Sequence, residues 1–272
     1  VDEVGSVDFI VYGYMNRGTH EGKVGIAVYR YDGISHTVEE EVFIPMDCSY
    51  DVLRAELGQL MYESDLGYLY LMLDGAVYRI DVNTLESEVL IHNLKDGCYA
   101  ASESNRFFAW VEEGNQFSSG EIQIMDLKTG ERFKTDRNLN CYQLPLGFVG
   151  EDLVYGVAAA DEVWMDAAGN VTFPMFRLKI MAVSEEGHRI LKNYQPKGRR
   201  VANIKIENYL IRVNLAEVST GYMEVSGFDT IMNQEADEKA TIYVDSSISE
   251  VKERQVQLVM RKACDSGKIR QI

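Results

Sequence analysis

The chain has 272 residues, 46% of them hydrophobic, and a formal net charge of −16 from 27 basic and 43 acidic side chains. The apolar fraction is ordinary for a globular protein and too high for a disordered one. The negative charge repels phosphate backbones, so the composition argues against nucleic acid as a partner. No run approaches the roughly 18–20 continuous apolar residues that cross a bilayer, and we expect no membrane span.

The N-terminus favours an extracytoplasmic location. The sequence begins at Val1 and has no recognisable signal peptide. We therefore expect a processed or shortened chain from the cell surface or another extracytoplasmic compartment, with its leader or anchor outside this sequence.

The first predicted unit contains three strands and lacks the opening strand of the later units. Its aromatic and β-branched residues place the strands at Val7–Met15, Lys23–Asp32 and Thr37–Ile44. The caps and apolar spacing of Asp47–Leu60 then predict a short helix that ends near Gly58.

The loop between the first two strands is the leading candidate ligand site. It is longer than a minimal hairpin, and long connections on a rigid scaffold often carry binding groups. The candidate side chains are Tyr14, Asn16, Arg17, His20 and Glu21. Arg17 could clamp a carboxylate through two hydrogen bonds, and His20 or Glu21 could exchange protons. The alternative is a hydrated hairpin tip that only turns the chain.

The second and third units contain a repeated segment. Gly75–Glu86 reappears as Gly120–Glu131, 45 residues later, and each copy is predicted to be a strand, a tight turn and the start of another strand. Repeats of roughly 40–50 residues built from short strands are typical of β-propeller blades. We expect Asp81 and Asp126 to be equivalent and to accept hydrogen bonds from turn N–H groups.

The complete set of strands in these two units follows the same pattern. The second unit is predicted at Leu57–Glu63, Gly67–Leu73, Ala76–Asp81 and Glu86–Ile91, and the third at Cys98–Ser102, Arg106–Glu112, Gly120–Asp126 and Glu131–Thr135. The polar tip Asn115–Gly120 holds Phe117, which we predict to be exposed and take as a second candidate ligand contact; the alternative is an ordinary loop tip.

Later units are predicted with a looser register. The fourth is placed at Cys141–Val149, Asp152–Ala159, Met175–Val183 and His188–Tyr194, with a long hairpin at Asp161–Thr172. The fifth is placed at Val201–Asn233, with strands at Tyr209–Ala216 and Tyr222–Phe228. Two last strands are predicted at Ala240–Val244 and Arg254–Met260. The second of these would complete the first blade and close the ring, which removes exposed sheet edges.

Four cysteines are present, without C-x-x-C or Cys/His ligand spacing, and we predict no metal site and no cofactor. Cys98 and Cys141 each precede the first strand of a unit, 43 residues apart. We expect both to be buried free thiols at equivalent packing positions. The alternative is a redox pair or a ligand ring near the channel.

The turn sequences resemble those of a known superfamily. Asp126–Glu131 resembles the D-x-x-T-G turn between outer blade strands in several bacterial β-propellers, and Asp81–Glu86 matches it without the glycine. Gly13–Gly22 and Asp229–Asn233 resemble segments of uncharacterised bacterial propeller-like surface proteins. With the repeat, this resemblance predicts one all-β domain over residues 1–272 or a fragment of a longer one. The expected fold is a β-propeller with four-stranded antiparallel blades, about five in number within a range of five to seven.

No catalytic motif is recognisable, since the chain has no G-x-S-x-G, G-x-x-x-x-G-K-S/T or H-E-x-x-H sequence. We therefore predict a non-catalytic binding module that presents inter-strand loops to a protein or carbohydrate ligand. One alternative is a carboxylate-based glycosidase-like propeller, because two of the many acidic side chains could converge in a central funnel. Another is the accessory propeller of a peptidase whose catalytic domain is absent from this chain.

Overall fold

The computed structural model of the chain describes residues 7–57, 60–73, 75–112, 117–137, 139–184, 187–219, 222–233, 242–248 and 254–260. It contains two compact units, Val1–Met232 and Asn233–Ile272. The described strand pairs in both units are antiparallel, which confirms the predicted all-β class with antiparallel sheets.

The first sheet has three strands, as predicted. They are β1 (Val7–Tyr14), β2 (Val24–Asp32) and β3 (Thr37–Pro45), paired in chain order. Helix α1 (Tyr50–Glu56) follows and confirms the predicted helix. Ser49 caps it by accepting a hydrogen bond from the Val52 N–H, and the buried Leu53 packs against the first sheet.

The second and third sheets are four-stranded meanders, which confirms both predicted units. The second contains β4 (Met61–Ser64), β5 (Tyr68–Leu73), β6 (Ala76–Asp81) and β7 (Ser87–Ile91), and the third contains β8 (Tyr99–Ala101), β9 (Phe107–Trp110), β10 (Gln123–Asp126) and β11 (Arg132–Lys134). In each sheet, neighbours in sequence are neighbours in the sheet. Such local pairing follows from the short turns that join the strands.

The fourth and fifth predicted units share one sheet. From the fourth, this sheet contains β12 (Cys141–Val149), β13 (Asp152–Ala159), β16 (Met175–Ser184) and β17 (Gly187–Tyr194). Between β13 and β16, β14 (Trp164–Met165) and β15 (Val171–Thr172) form a separate two-stranded hairpin. The fifth is formed by β18 (Arg200–Glu207), β19 (Leu210–Ser219) and β20 (Tyr222–Met232). One pairing, between Met175 and Val201, joins the two groups into one sheet, so the described sheets do not confirm the predicted number of blades.

The second unit of the chain contains a hairpin of β21 (Ile242–Ile248) and β22 (Arg254–Met260). The bounds of β22 agree with the predicted last strand. In the sheets that the structure describes, however, β22 pairs with β21 and not with β1–β3. The structure therefore does not show the predicted closure of the first blade.

Hydrophobic cores lie between consecutive sheets of the first unit. Ile26 and Val28 of the first sheet pack with Leu69 and Leu71 of the second. Further clusters join the second sheet to the third and the third to the fourth, and another lies within the fourth sheet, between its β12–β17 strands and its β18–β20 strands. Sheet-against-sheet packing in chain order is the arrangement expected for adjacent propeller blades.

The predicted equivalence of Asp81 and Asp126 is confirmed. The Oδ1 atom of Asp81 accepts hydrogen bonds from the Asn83 and Thr84 N–H groups at 2.8 and 3.1 Å, and Asp126 Oδ1 accepts from the Lys128 N–H at 2.9 Å. Each aspartate ends the third strand of its sheet. The repeated sequence therefore encodes a repeated turn.

A third copy of this turn was missed in the sequence. Asp32 Oδ1 accepts hydrogen bonds from the Ile34 and Ser35 N–H groups at 2.7 and 3.1 Å, and the His36 N–H donates to the Asp32 carbonyl at 2.9 Å. His36, like Leu85 and Gly130 at the same place in the other copies, has positive φ. The turn is thus defined by the aspartate and its hydrogen bonds, not by a glycine.

The cysteine prediction holds for one residue of the pair. Cys98 is a fully buried thiol, and burial raises its pKa to about 11. Cys141 is only half-buried and packs on the cluster shared with the preceding sheet, whereas Cys98 packs with strands that follow its own sheet, so their packing positions are not equivalent. Cys264 lies outside the described residues.

Candidate functional site

An acidic cleft with a volume of about 950 Å³ lies between the first and second sheets. Its charged wall is formed by Asp8, Arg30, Glu41, Glu63 and Asp65. We call this cavity the acidic cleft.

Strand register brings the charged groups of the first sheet together. Asp8 lies opposite Arg30 in the β1–β2 pairing, and their side chains form an ion pair at 3.5 Å. Glu41 is the extra residue at a β-bulge, since Val28 pairs with Val42 and the next residue of β2 pairs with Glu40. A bulge changes the direction of a side chain relative to a regular strand. It gives Glu41 a place in the cleft wall.

Glu63 on β4 is the most perturbed carboxyl group in the cleft. Burial, the negative charges of Glu41 and Asp8, and a hydrogen bond with Glu41 raise its pKa to about 7, against the opposing effect of Arg30. Within the part of the chain that the structure describes, the buried Oε2 atom of Glu63 has no hydrogen-bond partner. At neutral pH this carboxyl group is therefore divided between its protonated and ionised forms.

The cleft is suited to a cationic ligand. The wall holds four carboxyl groups and one guanidinium, and Lys128 forms an ion pair with Asp65 at 3.6 Å, so excess negative charge remains even when Glu63 is protonated. A positively charged group near Glu63 would favour its ionised form and could occupy the unpaired Oε2 atom. Among the described residues, no group of three or more His, Cys, Asp and Glu side chains is placed to hold a metal ion.

The N-terminal loop does not gather its predicted residues into one cluster. Tyr14 is 58% exposed, and Asn16, Arg17 and Glu21 are exposed as well. His20 instead folds back onto its own sheet. Its Nε2 atom lies 2.6 Å from Glu40 Oε1.

The contacts of His20 attach the loop to β3. Its ring stacks on Phe43 with 3.8 Å between centroids and 9° between planes. Tyr29 donates a second hydrogen bond to Glu40 at 2.9 Å, and the hydrogen bond with His20 is the main cause of the lowered pKa of Glu40. These contacts give His20 a structural role, while Arg17 keeps an exposed guanidinium at the tip.

Phe117 is not the exposed residue that the sequence suggested. It is partly buried against the core of the fourth and fifth strand groups, with its ring centroid 6.5 Å from that of Phe173. Both rings line a separate cavity of about 360 Å³. Residues 113–116 of its loop lie outside the described residues.

Sequence analysis missed the residues of the acidic cleft. Asp8 and Arg30 could have been paired from the predicted hairpin, because they stand opposite each other across the loop. Glu41 and Glu63 carried no such signal, since the chain has 43 acidic residues and neither lies in a motif. Their proximity depends on a bulge and on the packing of two sheets.

Comparisons with known proteins give only distant likenesses. No family model matches the chain, and no curated protein sequence matches it. Among solved structures, tricorn protease is 13% identical over 93% of this chain and 28% of its own length, with a TM-score of 0.38. TolB from Acinetobacter baumannii is 10% identical, with 94% and 77% covered and a TM-score of 0.30. The periplasmic gluconolactonase of Pseudomonas aeruginosa is 13% identical, with 95% and 93% covered and a TM-score of 0.27.

The chain thus spans little more than a quarter of the length of tricorn protease. None of these likenesses assigns a site or an activity to it. No helix among the described residues is long and apolar enough to cross a membrane.

Proposed function

We propose that the chain is a non-catalytic binding module on a β-propeller-type scaffold, and that its ligand carries a positive charge into the acidic cleft. The observation that carries this proposal is the half-buried Glu63, whose Oε2 atom faces no partner in a cavity of about 950 Å³. Buried polar atoms normally have partners, and one that lacks them marks a place for an additional group.

A glycosidase-like role is the alternative function. Glycosidases separate their two carboxyl groups by about 5–9.5 Å so that a sugar and a water or nucleophile fit between them. The raised pKa of Glu63 would also suit a general acid, so this alternative stays a prediction. The accessory role for a peptidase stays a prediction.

The scaffold proposal includes a ring of about five blades, closed by a late strand. The cores between consecutive sheets support blade-like packing, and β1 is an edge strand among the sheets described.

The exposed Arg17 and the rest of the N-terminal loop remain a proposed secondary contact for the ligand. The cavity beside Phe117 is a second proposed secondary contact. That the protein does not bind nucleic acid stays a prediction.

A titration with matched charged and neutral probes tests the proposal. The probes are a lysine amide blocked at its α-amine, its ε-acetylated analogue, glucosamine and N-acetylglucosamine. We expect the two cationic probes to shift backbone amide resonances of Ile10, Glu63 and Gly67 in NMR spectra, and the two neutral probes to leave them unchanged. Shifts confined to other regions, or chemical turnover of a sugar or amide, would contradict the proposal.

The pH dependence of the same titration provides a second measurement. As pH rises through about 7, the Glu63 carboxyl group loses its proton, so the lysine amide, whose ε-amine stays charged in this range, should bind more tightly. Glu63→Gln should remove this pH dependence and weaken binding. Glu131→Gln, an exposed change in a turn of the third sheet, is the matched control and should leave binding unchanged.

A further inference from the structure

A second, apolar cavity of about 370 Å³ lies between the same two sheets. Its wall includes Ile44, Met46, Leu71, Tyr78, Ile80 and Leu85. Cavities of this size lined mainly by apolar side chains are typical of sites that enclose one large apolar group. We call this cavity the apolar pocket.

Leu85 forms part of this pocket in an unfavourable backbone conformation. Its φ is +60°, a left-handed value that disfavours a residue with a bulky side chain. The equivalent turn of the third sheet has Gly130 at this position and forms the same backbone hydrogen bond to its aspartate. The turn therefore does not require a leucine. The side chain is nevertheless 52% exposed at the pocket.

One turn separates the two cavities. Val82 and Asn83, the first two residues after β6, line the acidic cleft, whereas Leu85 and Ser87 line the apolar pocket. A ligand that crosses the β6–β7 turn would therefore meet carboxyl groups on one side and apolar side chains on the other. The complementary chemistry is a positive charge close to a large apolar group.

We propose that the acidic cleft and the apolar pocket form one docking site for a protein segment that combines a Lys or Arg with a nearby large aliphatic or aromatic residue. The basic side chain enters the cleft, and the apolar side chain packs against Leu85 and Tyr78. This inference rests on the proposed function and narrows its ligand from any cation to a basic and apolar protein segment. Polypeptide segments supply both groups at adjustable spacing, whereas aminosugars lack a large apolar side chain.

Short labelled peptides test the inference. One series contains Lys and Leu separated by zero to four glycines, and the matched series has Ser in place of Leu. Fluorescence polarisation at low salt measures their affinities. Because burial of a leucine side chain is favourable, we expect the best Leu peptide to bind roughly tenfold or more tightly than its Ser counterpart.

Two glycine variants distinguish the effect of losing the Leu85 side chain from the pocket from the effect of relaxing the backbone of a turn. Leu85→Gly should reduce the preference for Leu over Ser to less than about threefold and leave the affinity of the Ser peptides unchanged. His36→Gly relieves the same backbone conformation in the first sheet, at a position that lines neither cavity, and should change neither series. Glu63→Gln should weaken both series.

Each other outcome overturns a defined part of the proposal. Equal binding of Leu and Ser peptides at every spacing would refute the docking site while the cation-binding function stands. Failure of every Lys peptide to bind would refute the proposed function and this inference with it. Sedimentation showing a dimer that Leu85→Gly dissociates would make a second copy of the chain the occupant and overturn the inference.

Discussion

The turns at Asp81 and Asp126 share a backbone design but differ in their surroundings. In both, the aspartate accepts N–H groups of the turn and its carbonyl accepts the N–H four residues later. Asp126 is only 2% exposed and forms two hydrogen bonds with Arg106 at 3.0 and 2.6 Å. Asp81 is half-buried and serves its own turn. Similar sequence thus fixes the local conformation, whereas neighbouring side chains decide how much each copy contributes to stability.

The largest loss of stability is expected on removing Asp126, the aspartate that pairs with Arg106. Asp126→Ala leaves the Arg106 guanidinium without its carboxylate, and loss of one partner from a largely buried pair costs about 3 kcal/mol. Asp81→Ala removes only hydrogen bonds of the turn and should cost about 1 kcal/mol. Chemical denaturation of both variants measures the difference. Equal losses would show that Arg106 contributes nothing beyond the turn.

The same pair predicts a difference in acid. Burial raises the pKa of Asp126, but the hydrogen bonds from Arg106 and the Lys128 N–H outweigh it and lower the pKa below its usual value. The contribution of ionised Asp126 to stability is therefore fully present above its pKa of about 4 in the unfolded chain, and it is lost as pH falls through the lower pKa in the folded protein. In thermal unfolding, the wild-type protein should therefore become less stable in acid as Asp126 is protonated. Asp126→Ala should lack this part of the pH dependence of stability.

The left-handed position of the turn provides the next comparison. Gly130→Leu places in the third sheet the residue that the second sheet already has there. Because a left-handed conformation disfavours non-glycine residues, the change should cost about 1–2 kcal/mol in denaturation experiments. No loss of stability would mean that this turn accepts any residue and that Leu85 is unstrained.

The reciprocal change should have a smaller effect of opposite sign. Leu85→Gly relieves the left-handed conformation but increases the freedom of the unfolded chain, so a gain of about 0.5–1 kcal/mol is expected. Leu85→Ala is the control, because it removes most of the side chain and keeps the backbone penalty. Destabilisation by glycine equal to that by alanine would show that Leu85 mainly packs a structural core.

The smallest effect is expected in the N-terminal loop. Arg17 is exposed, and exposed substitutions usually change stability by less than about 0.5 kcal/mol. Arg17→Ala should therefore leave the melting temperature nearly unchanged, whereas His20→Ala should lower it because the contacts with Glu40 and Phe43 are lost. A large loss in Arg17→Ala would assign the arginine to the fold and remove it as a ligand contact.

Local sequence patterns predicted the strands and the two matched turns because these depend on nearby residues. The Asp32 turn escaped detection because Ser35 and His36 replace the threonine and glycine, although the hydrogen bonds are kept. Glu63 could not be singled out, since its perturbation arises from burial and from charges on another sheet. His20 was predicted as a loop group, but its contact with Glu40 depends on the fold of a strand 20 residues away.

The pairing of Met175 with Val201 has a consequence for shortened versions of the chain. Strand β16 pairs with β17 along most of its length and with β18 at its beginning, so both neighbours depend on it. A chain shortened after Tyr194 would lack Val201 and Ile211, which pack in the same hydrophobic cluster as Leu178. The apolar surface exposed by their loss would favour aggregation. Residues 195–199 therefore look like a linker in sequence but do not mark a boundary at which the protein can be divided.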